Sequence, residues 1–290
     1  MYPFDLITDA TIDLPRPLYK KLDFTAIPMR YYIDGEEFLH SPGPSQMSLE
    51  PFYRMLKGGA NMQTTTLTPE QFMEAFSHSL EQGRDVIYIG LSSALSGTFS
   101  YSLPVAEELR ARYPDRRIYC IDTLSVAGGQ GILLTIADAL RAKGATAEEV
   151  AAELERRRPE LAIWFSVDDL TALKRSGRLG GIVATASAAL GIRPTLHVTN
   201  AGKLGLGGSA RGTAKAIRAL VAQLQKTFKP EASNLVIILH SNCEQDAIAL
   251  RDAVLEAVPA ADPQISELGP VVGTHVGSGC IAMCFCATER

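Results

Sequence analysis

Hydroxyl side chains crowd a short stretch of the 290-residue sequence, LSSALSGTFS at residues 91–100, directly after the apolar run DVIYIGL. The pattern predicts a strand that turns into a helix, where free backbone N–H groups and the helix dipole favour an anion. Ser96 and Thr98 would add hydroxyl donors, and Gly97 would let a ligand approach the backbone closely. The turn therefore suits a carboxylate or a phosphate, unless Ser96 serves only to cap the helix.

A second hydroxyl cluster, QTTTLTP at residues 63–69, also precedes a predicted helix. Thr68 is predicted to be the N-cap, because Gln71 follows three residues later and completes a capping box. Thr146 and Glu149 predict a second capping box in the same way. Thr64 and Thr65 have no local role that the sequence shows. They are either polar loop residues or donors to a ligand.

Three further side chains could contribute to an anion site. The stretch GTHVGSG at residues 273–279 places His275 among three glycines between two predicted strands, so we expect a tight loop that fixes the ring. Arg178 and Arg211 lie at predicted turns, where an arginine is either exposed to solvent or contacts an anion. We expect no metal site, because the sequence has no HExxH motif and no paired CxxC motifs.

Composition excludes several classes of protein. The sequence has 28 basic and 32 acidic residues, and its net charge of -4 gives no electrostatic signal for nucleic acid or for an anionic membrane surface. No apolar run approaches the roughly 18 residues of a membrane-spanning helix. The N-terminal residues lack the basic region of a secretory signal, and the five cysteines are expected to be reduced thiols. We therefore expect a soluble, cytoplasmic protein.

The elements that must position these side chains form two predicted domains. Residues 1–158 alternate apolar strands with helices and predict an α/β domain with a Rossmann-like parallel sheet, in which FTAIPMRYYI at residues 24–33 is a single strand. Residues 159–290 predict an α+β domain with strands at LAIWFSV (161–167) and NLVIILH (234–240). Between these strands we expect an apolar helix at 184–191, a hairpin at 193–208 and a helix from about Thr213 to Lys226. Because no linker separates the domains, we expect the ligand in a cleft between them.

The same residues also allow an enzymatic interpretation. The segment GLSSA at residues 90–94 lacks the final glycine of the G-x-S-x-G nucleophile motif, but an esterase that uses Ser96 and His275 stays open. The glycine-rich GKLGLGGSARG at residues 202–212 lacks the Gly-Lys-Ser/Thr of the Walker A motif, so no ATP site is expected in this chain. A binding protein for a small phosphorylated metabolite is a further alternative.

Several motifs, in this order and spacing, resemble those of the DegV family. They comprise ITDATIDLP (residues 7–15), TTTLTP (64–69), LSSALSGTF (91–99), DDLTALKRSGRLGG (168–181), SARGTAKAI (209–217) and VVGTHVGSGCI (271–281). The resemblance covers nearly the whole chain. Members of this family bind fatty acids and serve as the lipid-presenting subunit of bacterial fatty acid kinase.

The resemblance implies a DegV-type fold with the ligand between the domains, and a role for each candidate residue. Thr64 and Ser96 would bind the carboxylate of a long-chain fatty acid such as palmitate, with Thr65 as the alternative to Thr64. Gly97 and His275 would support that site, and Arg178 and Arg211 would face the partner kinase or the transferred phosphoryl group. The chain would be a non-enzymatic lipid carrier without a cofactor, and a separate ATP-dependent subunit would form the acyl phosphate.

Overall fold

The computed structural model describes residues 2–43, 48–179 and 191–290. The strands of this part of the chain are β1 (Phe4–Asp9), β2 (Thr25–Ile27), β3 (Met29–Ile33), β4 (Glu36–His40), β5 (Met62–Thr64), β6 (Asp85–Gly90), β7 (Ile118–Asp122), β8 (Leu161–Ser166), β9 (Ile192–Val198), β10 (Leu204–Arg211), β11 (Leu235–His240), β12 (Asp262–Glu267) and β13 (Ile281–Cys286).

The α-helices are α1 (Arg16–Lys21), α2 (Leu49–Lys57), α3 (Pro69–Glu81), α4 (Thr98–Arg112), α5 (Gly128–Ala142), α6 (Ala147–Arg157), α7 (Thr171–Arg175), α8 (Thr213–Thr227), α9 (Glu244–Ala257) and α10 (Pro270–Val276). The capping boxes predicted at Thr68 and Thr146 are both present. Among the described residues, no helix combines the length and apolar character that crossing a bilayer requires.

The strands form three sheets, and the predicted α/β class with a parallel sheet followed by an α+β half is confirmed. The first sheet is entirely parallel in the order β2-β1-β6-β7. The second is a mixed sheet in the order β10-β9-β8-β13-β11-β12, in which only β11 and β12 run parallel. The predicted domain boundary after residue 158 falls at a 3₁₀ turn, Arg158–Glu160, and stays a prediction.

The third sheet corrects one sequence prediction. The run FTAIPMRYYI is not a single strand, because β2 ends at Ile27 and β3 begins at Met29. Pro28 separates them, since proline has no N–H to donate to a continuing ladder. β3 then leaves the parallel sheet and pairs antiparallel with β4 and β5. Thr64 is the last residue of β5 and therefore belongs to this small sheet.

Helix α5 lies between the two larger sheets. Its first turn contains Gly128, Gly129 and Gly131, which let it approach the mixed sheet closely: a Cβ added at Gly128 would lie 2.8 Å from Ile237 Cγ2, and one at Gly129 would lie 3.0 Å from Ile163 Cδ1. Helices α3 and α4 bury Phe72 and Leu109 with the far face of the parallel sheet. The close packing of α5 joins both halves into one core.

Two further predictions concern single segments. The apolar helix predicted at 184–191 lies outside the described residues except for its last position. His275 does not lie in a loop, because residues 270–276 form helix α10, which begins with Pro270 at its first position and ends before Gly277. The sequence pointed to a loop because the glycines around His275 favour turns. Pro270 at the first helical position and the packing of Val271 against the core favour a helical turn instead.

Candidate ligand-binding site

A cavity lies between the two halves of the molecule. Its volume is about 130 Å³. Most of its wall is apolar, including Leu91, Val126, Ile163, Phe165, Leu239 and Val271. The first two come from the N-terminal half and the others from the C-terminal half. The cavity therefore offers an extended apolar ligand a site between the two halves.

Polar side chains line part of this wall, and they include four of the six residues singled out in the sequence. Thr64, Ser96, Arg178 and His275 line the cavity together. Thr64 Oγ1 lies 2.9 Å from His275 Nε2, although 211 residues separate them in the sequence. The site thus combines an apolar cavity with a cluster of hydrogen-bonding groups.

Ser96 lies just before α4, whose N-cap is Gly97. Its Oγ accepts the N–H of Thr98 at 3.2 Å and lies 3.1 Å from Thr98 Oγ1. Thr98 Oγ1 in turn accepts the N–H of Leu67 at 3.4 Å, which joins the two hydroxyl-rich stretches. Ser96 is therefore not the N-cap, but its lone pair accepts the first N–H of the helix, and its hydroxyl proton can point to Thr98 or to a ligand.

The neighbouring threonines differ in their surroundings. Thr64 ends β5 and is half-buried, whereas Thr65 is exposed and its hydroxyl donates a long hydrogen bond, 3.4 Å, to the carbonyl of Arg30. Both residues line the cavity. Only Thr64 contacts His275, so the two hydroxyls are not equivalent in the structure.

His275 is held as a neutral ring. Burial lowers its pKa to about 4, and the positive charges of Arg178 and Arg175 act in the same direction. A neutral imidazole carries one proton, and placing it on Nε2 makes the ring a donor to Thr64 Oγ1. The Thr64 hydroxyl proton is then free for a ligand.

The remaining candidates lie in different settings. Arg178 is half-buried, burial lowers its pKa, and its Nε donates to the carbonyl of Leu95 at 3.4 Å, beside Ser96. Arg211 is exposed at the end of β10 and does not line the cavity. Gly97 is also exposed and off the lining; a Cβ added there would find its nearest neighbour at 3.7 Å. The fold itself therefore does not demand glycine at position 97.

The sequence reasoning did not single out Asp9, a buried carboxylate that contacts residues of the cavity wall. Asp9, at the end of β1, accepts the N–H of Leu91 at 3.1 Å and the hydroxyl of Tyr88 at 2.9 Å through Oδ2. Its other oxygen accepts the N–H and the hydroxyl of Thr11, which lines the cavity. The sequence signal that could have identified Asp9 is its position at the end of an apolar strand.

The cysteines and possible metal ligands add no further site chemistry. All five cysteines are free thiols, as the sequence predicted, although Cys120 is only partly buried. Burial raises the pKa of Cys284, which lines the cavity, to about 12. Within residues 2–43, 48–179 and 191–290, no group of three or more His, Cys, Asp or Glu side chains could hold a metal ion.

Fold and site together define an α/β protein of three sheets, whose internal cavity suits an amphipathic ligand. The family described as "Uncharacterised protein, DegV family" matches residues 3–288, and the chain belongs to the DegV family. A DegV domain-containing protein of Clostridium perfringens is 34% identical over 285 residues, 98% of each chain.

Solved structures resemble this chain over its whole length. A DegV family protein from Thermus thermophilus, whose structure is described as showing fatty acid binding, superposes with a TM-score of 0.85 at 28% identity over 99% of this chain and 100% of the other. A DegV lipid-binding protein from Thermotoga maritima superposes with a TM-score of 0.83 at 27% identity over 99% of each chain.

Proposed function

We propose that this protein binds a long-chain fatty acid, with the carboxylate on Thr64 and Ser96 and the acyl chain in the apolar cavity. The observation that carries the proposal is the joining of Thr64, Ser96 and His275 on the wall of an otherwise apolar cavity. Fatty acid binding in the Thermus thermophilus relative supports this choice of ligand.

Simple energetics agree with a fatty acid. Burying each methylene contributes about 0.8 kcal/mol, so a chain of about sixteen carbons gains on the order of 12 kcal/mol before the costs of binding. A carboxylate that leaves water loses several kcal/mol unless donors replace the water. The hydroxyls of Thr64 and Ser96 are such donors, and His275 can hold the Thr64 proton toward the ligand.

Neutral donors also suit a ligand that reacts while bound. Hydroxyl groups compensate the carboxylate without an arginine clamp, so one carboxylate oxygen keeps a lone pair that can attack phosphorus. We propose that the chain is a non-enzymatic, cytoplasmic carrier that presents its fatty acid to a separate ATP-dependent kinase subunit. Arg178, at the cavity, would face the transferred phosphoryl group, and the exposed Arg211 would face the partner.

The two alternatives have weaker support. An esterase would need His275 to accept the proton of Ser96, but the ring nitrogen Nε2 is bonded to Thr64 and no hydrogen bond joins Ser96 to His275 in the described part of the chain. A phosphorylated metabolite would need more cationic partners than Arg178 and would leave the apolar wall without a function.

Lipid extraction and mass spectrometry of the purified protein test the proposal directly. We expect about one equivalent of intact long-chain fatty acid. Absence of fatty acid, together with no binding of added palmitate or oleate, would refute fatty acid binding. An ester hydrolysed by the protein would favour the esterase.

Ser96→Ala tests the carboxylate anchor, with Ser93→Ala as a matched control from the same turn. Ser93 is exposed and does not line the cavity. Losing a hydrogen bond to a charged group costs about 1.5–3 kcal/mol, so Ser96→Ala should weaken palmitate binding at least tenfold. Equal affinities of the two variants would show that Ser96 is not the anchor.

The kinase step is tested with a bacterial fatty acid kinase ATP-binding subunit, ATP and bound palmitate. We expect acyl phosphate with the wild type, and a lower rate with Arg178→Ala at unchanged palmitate affinity. Retention of the full rate in both Arg178→Ala and Arg211→Ala would remove these residues from the phosphoryl-transfer step.

A further inference from the structure

Two buried side chains contact consecutive residues just before helix α10. The hydroxyl of Tyr53 donates to the carbonyl of Leu268 at 2.6 Å. Asp13 Oδ1 accepts the N–H of Gly269, the N-cap residue of α10, at 2.9 Å. Tyr53 is fully buried and Asp13 is 6% exposed, so neither bond competes with bulk water.

Two glycines next to these hydrogen bonds leave the space that the bonds require. A Cβ added at Gly273 would lie 2.5 Å from Tyr53 Oη, so only glycine leaves the hydroxyl a path across α10 to Leu268. A Cβ added at Gly269 would lie 2.9 Å from Asp13 Oδ1 and 2.5 Å from His40 Nε2. The segment 268–273 is therefore fitted against side chains from α2, from the loop after β1 and from β4.

Helix α10 connects the residues held by Tyr53 and Asp13 to the cavity. Leu268, Val271, Val272, His275 and Val276 all line the cavity, and His275 reaches Thr64 from the last turn of the helix. Helix α10 has about two turns, and its hydrogen-bonded backbone links Gly269 at the N-cap to His275 in the last turn. A shift at Leu268 therefore moves the His275 ring relative to Thr64.

We propose that Tyr53 and Asp13 are positioning residues, which hold α10 so that His275 Nε2 meets Thr64 Oγ1 and the Thr64 hydroxyl faces the ligand carboxylate. This inference rests on the proposed function, because it assigns a role in carboxylate recognition. On this proposal α2 and the small antiparallel sheet contribute to ligand binding. The sequence does not show this contribution, because Asp13 and Gly269 are 256 residues apart.

Tyr53→Phe tests the proposal, and Tyr31→Phe is its matched control. Tyr31 is also fully buried, its ring also contacts Phe52, and its hydroxyl has no partner in the part of the chain that the structure describes. Each variant removes one buried tyrosine hydroxyl from the same region. The two differ in whether that hydroxyl holds α10.

The measurement is the ratio of the affinities for palmitate and for hexadecanol, which has the same chain length without the carboxylate. Tyr53→Phe should lower this ratio about fivefold, while Tyr31→Phe leaves it unchanged. A purely structural role would lower the Tm of Tyr53→Phe and leave the ratio as in the wild type, and that result would overturn the proposal. A wild type without preference for palmitate would instead refute the proposed function.

Asp13 provides a second, independent test with rescue by a conservative variant. Asp13→Asn keeps an oxygen that can accept the Gly269 N–H, so it should keep the affinity ratio. Asp13→Ala removes the acceptor and should lower the ratio as Tyr53→Phe does. Equal ratios in both Asp13 variants would show that the bond to Gly269 does not position the site, even if Tyr53→Phe fails to fold.

Discussion

Replacing Thr64 with valine removes one hydroxyl and keeps the branched shape that suits the end of β5. The lost group contacts His275 Nε2 at 2.9 Å and, in the proposed complex, donates to the carboxylate. A hydrogen bond to a charged group contributes about 1.5–3 kcal/mol. The affinity for palmitate should therefore fall by about 10- to 150-fold.

Thr65→Val is the matched control, because the sequence alone left Thr64 and Thr65 open. The Thr65 side chain is exposed, and its hydroxyl makes only a 3.4 Å bond to the Arg30 carbonyl. An exposed, long bond contributes little, so Thr65→Val should change the affinity by less than about threefold. Both substitutions keep a β-branched residue, so packing is matched.

Isothermal titration of delipidated protein with palmitate and with hexadecanol measures both variants. Thr64→Val should weaken palmitate binding much more than hexadecanol binding, because the removed donor serves the carboxylate. The reasoning is refuted if Thr65→Val weakens palmitate binding as much as Thr64→Val does. It is also refuted if Thr64→Val weakens both ligands equally, since the effect would then concern the chain rather than the carboxylate.

Two further predictions concern stability. Burial raises the pKa of Asp13 from 3.8 to about 8, so the folded protein keeps a proton that the unfolded chain releases, and this group's contribution to stability falls as pH rises between these values. Urea unfolding should show Asp13→Asn gaining on the wild type by up to about 1.4 kcal/mol per pH unit across that window; a pH-independent difference would contradict the raised pKa. Gly129→Ala should destabilise the protein by about 1–3 kcal/mol, because the added Cβ would approach Ser125 Oγ and Ile163. Gly97→Ala should leave the stability unchanged, because the nearest neighbour of its Cβ lies at 3.7 Å. Equal urea midpoints for the two glycine variants would contradict the close packing of α5.

The local elements could be predicted because their causes are local. The capping boxes at Thr68 and Thr146 satisfy backbone N–H groups within three residues, and they are where the sequence predicted them. Apolar runs such as LAIWFSV and NLVIILH became buried strands of the mixed sheet. The strand β6 and the helix α4 on either side of the turn at Ser96 follow from the same local logic.

Elements whose form depends on distant contacts were harder to predict. Pro28 divides an apparently continuous strand between two sheets, and the small third sheet exists only because β4 and β5 return to pair with β3. His275 lies on a helix because its valines pack on the core and because Tyr53 and Asp13 hold the residues before it. The local sequence around Pro28 and around His275 does not reveal these distant contacts.

Residue type and local turn geometry need no tertiary contact, so the amino-acid sequence was enough to identify Thr64, Ser96, Arg178 and His275 as hydrogen-bonding candidates, and its motifs indicated the family. Which of the candidates meet depends on the packing of distant segments: Thr64 rather than Thr65 contacts His275, and Arg178 but not Arg211 lines the cavity. A cavity is a property of packed surfaces, and the walls of this one come from segments more than 200 residues apart.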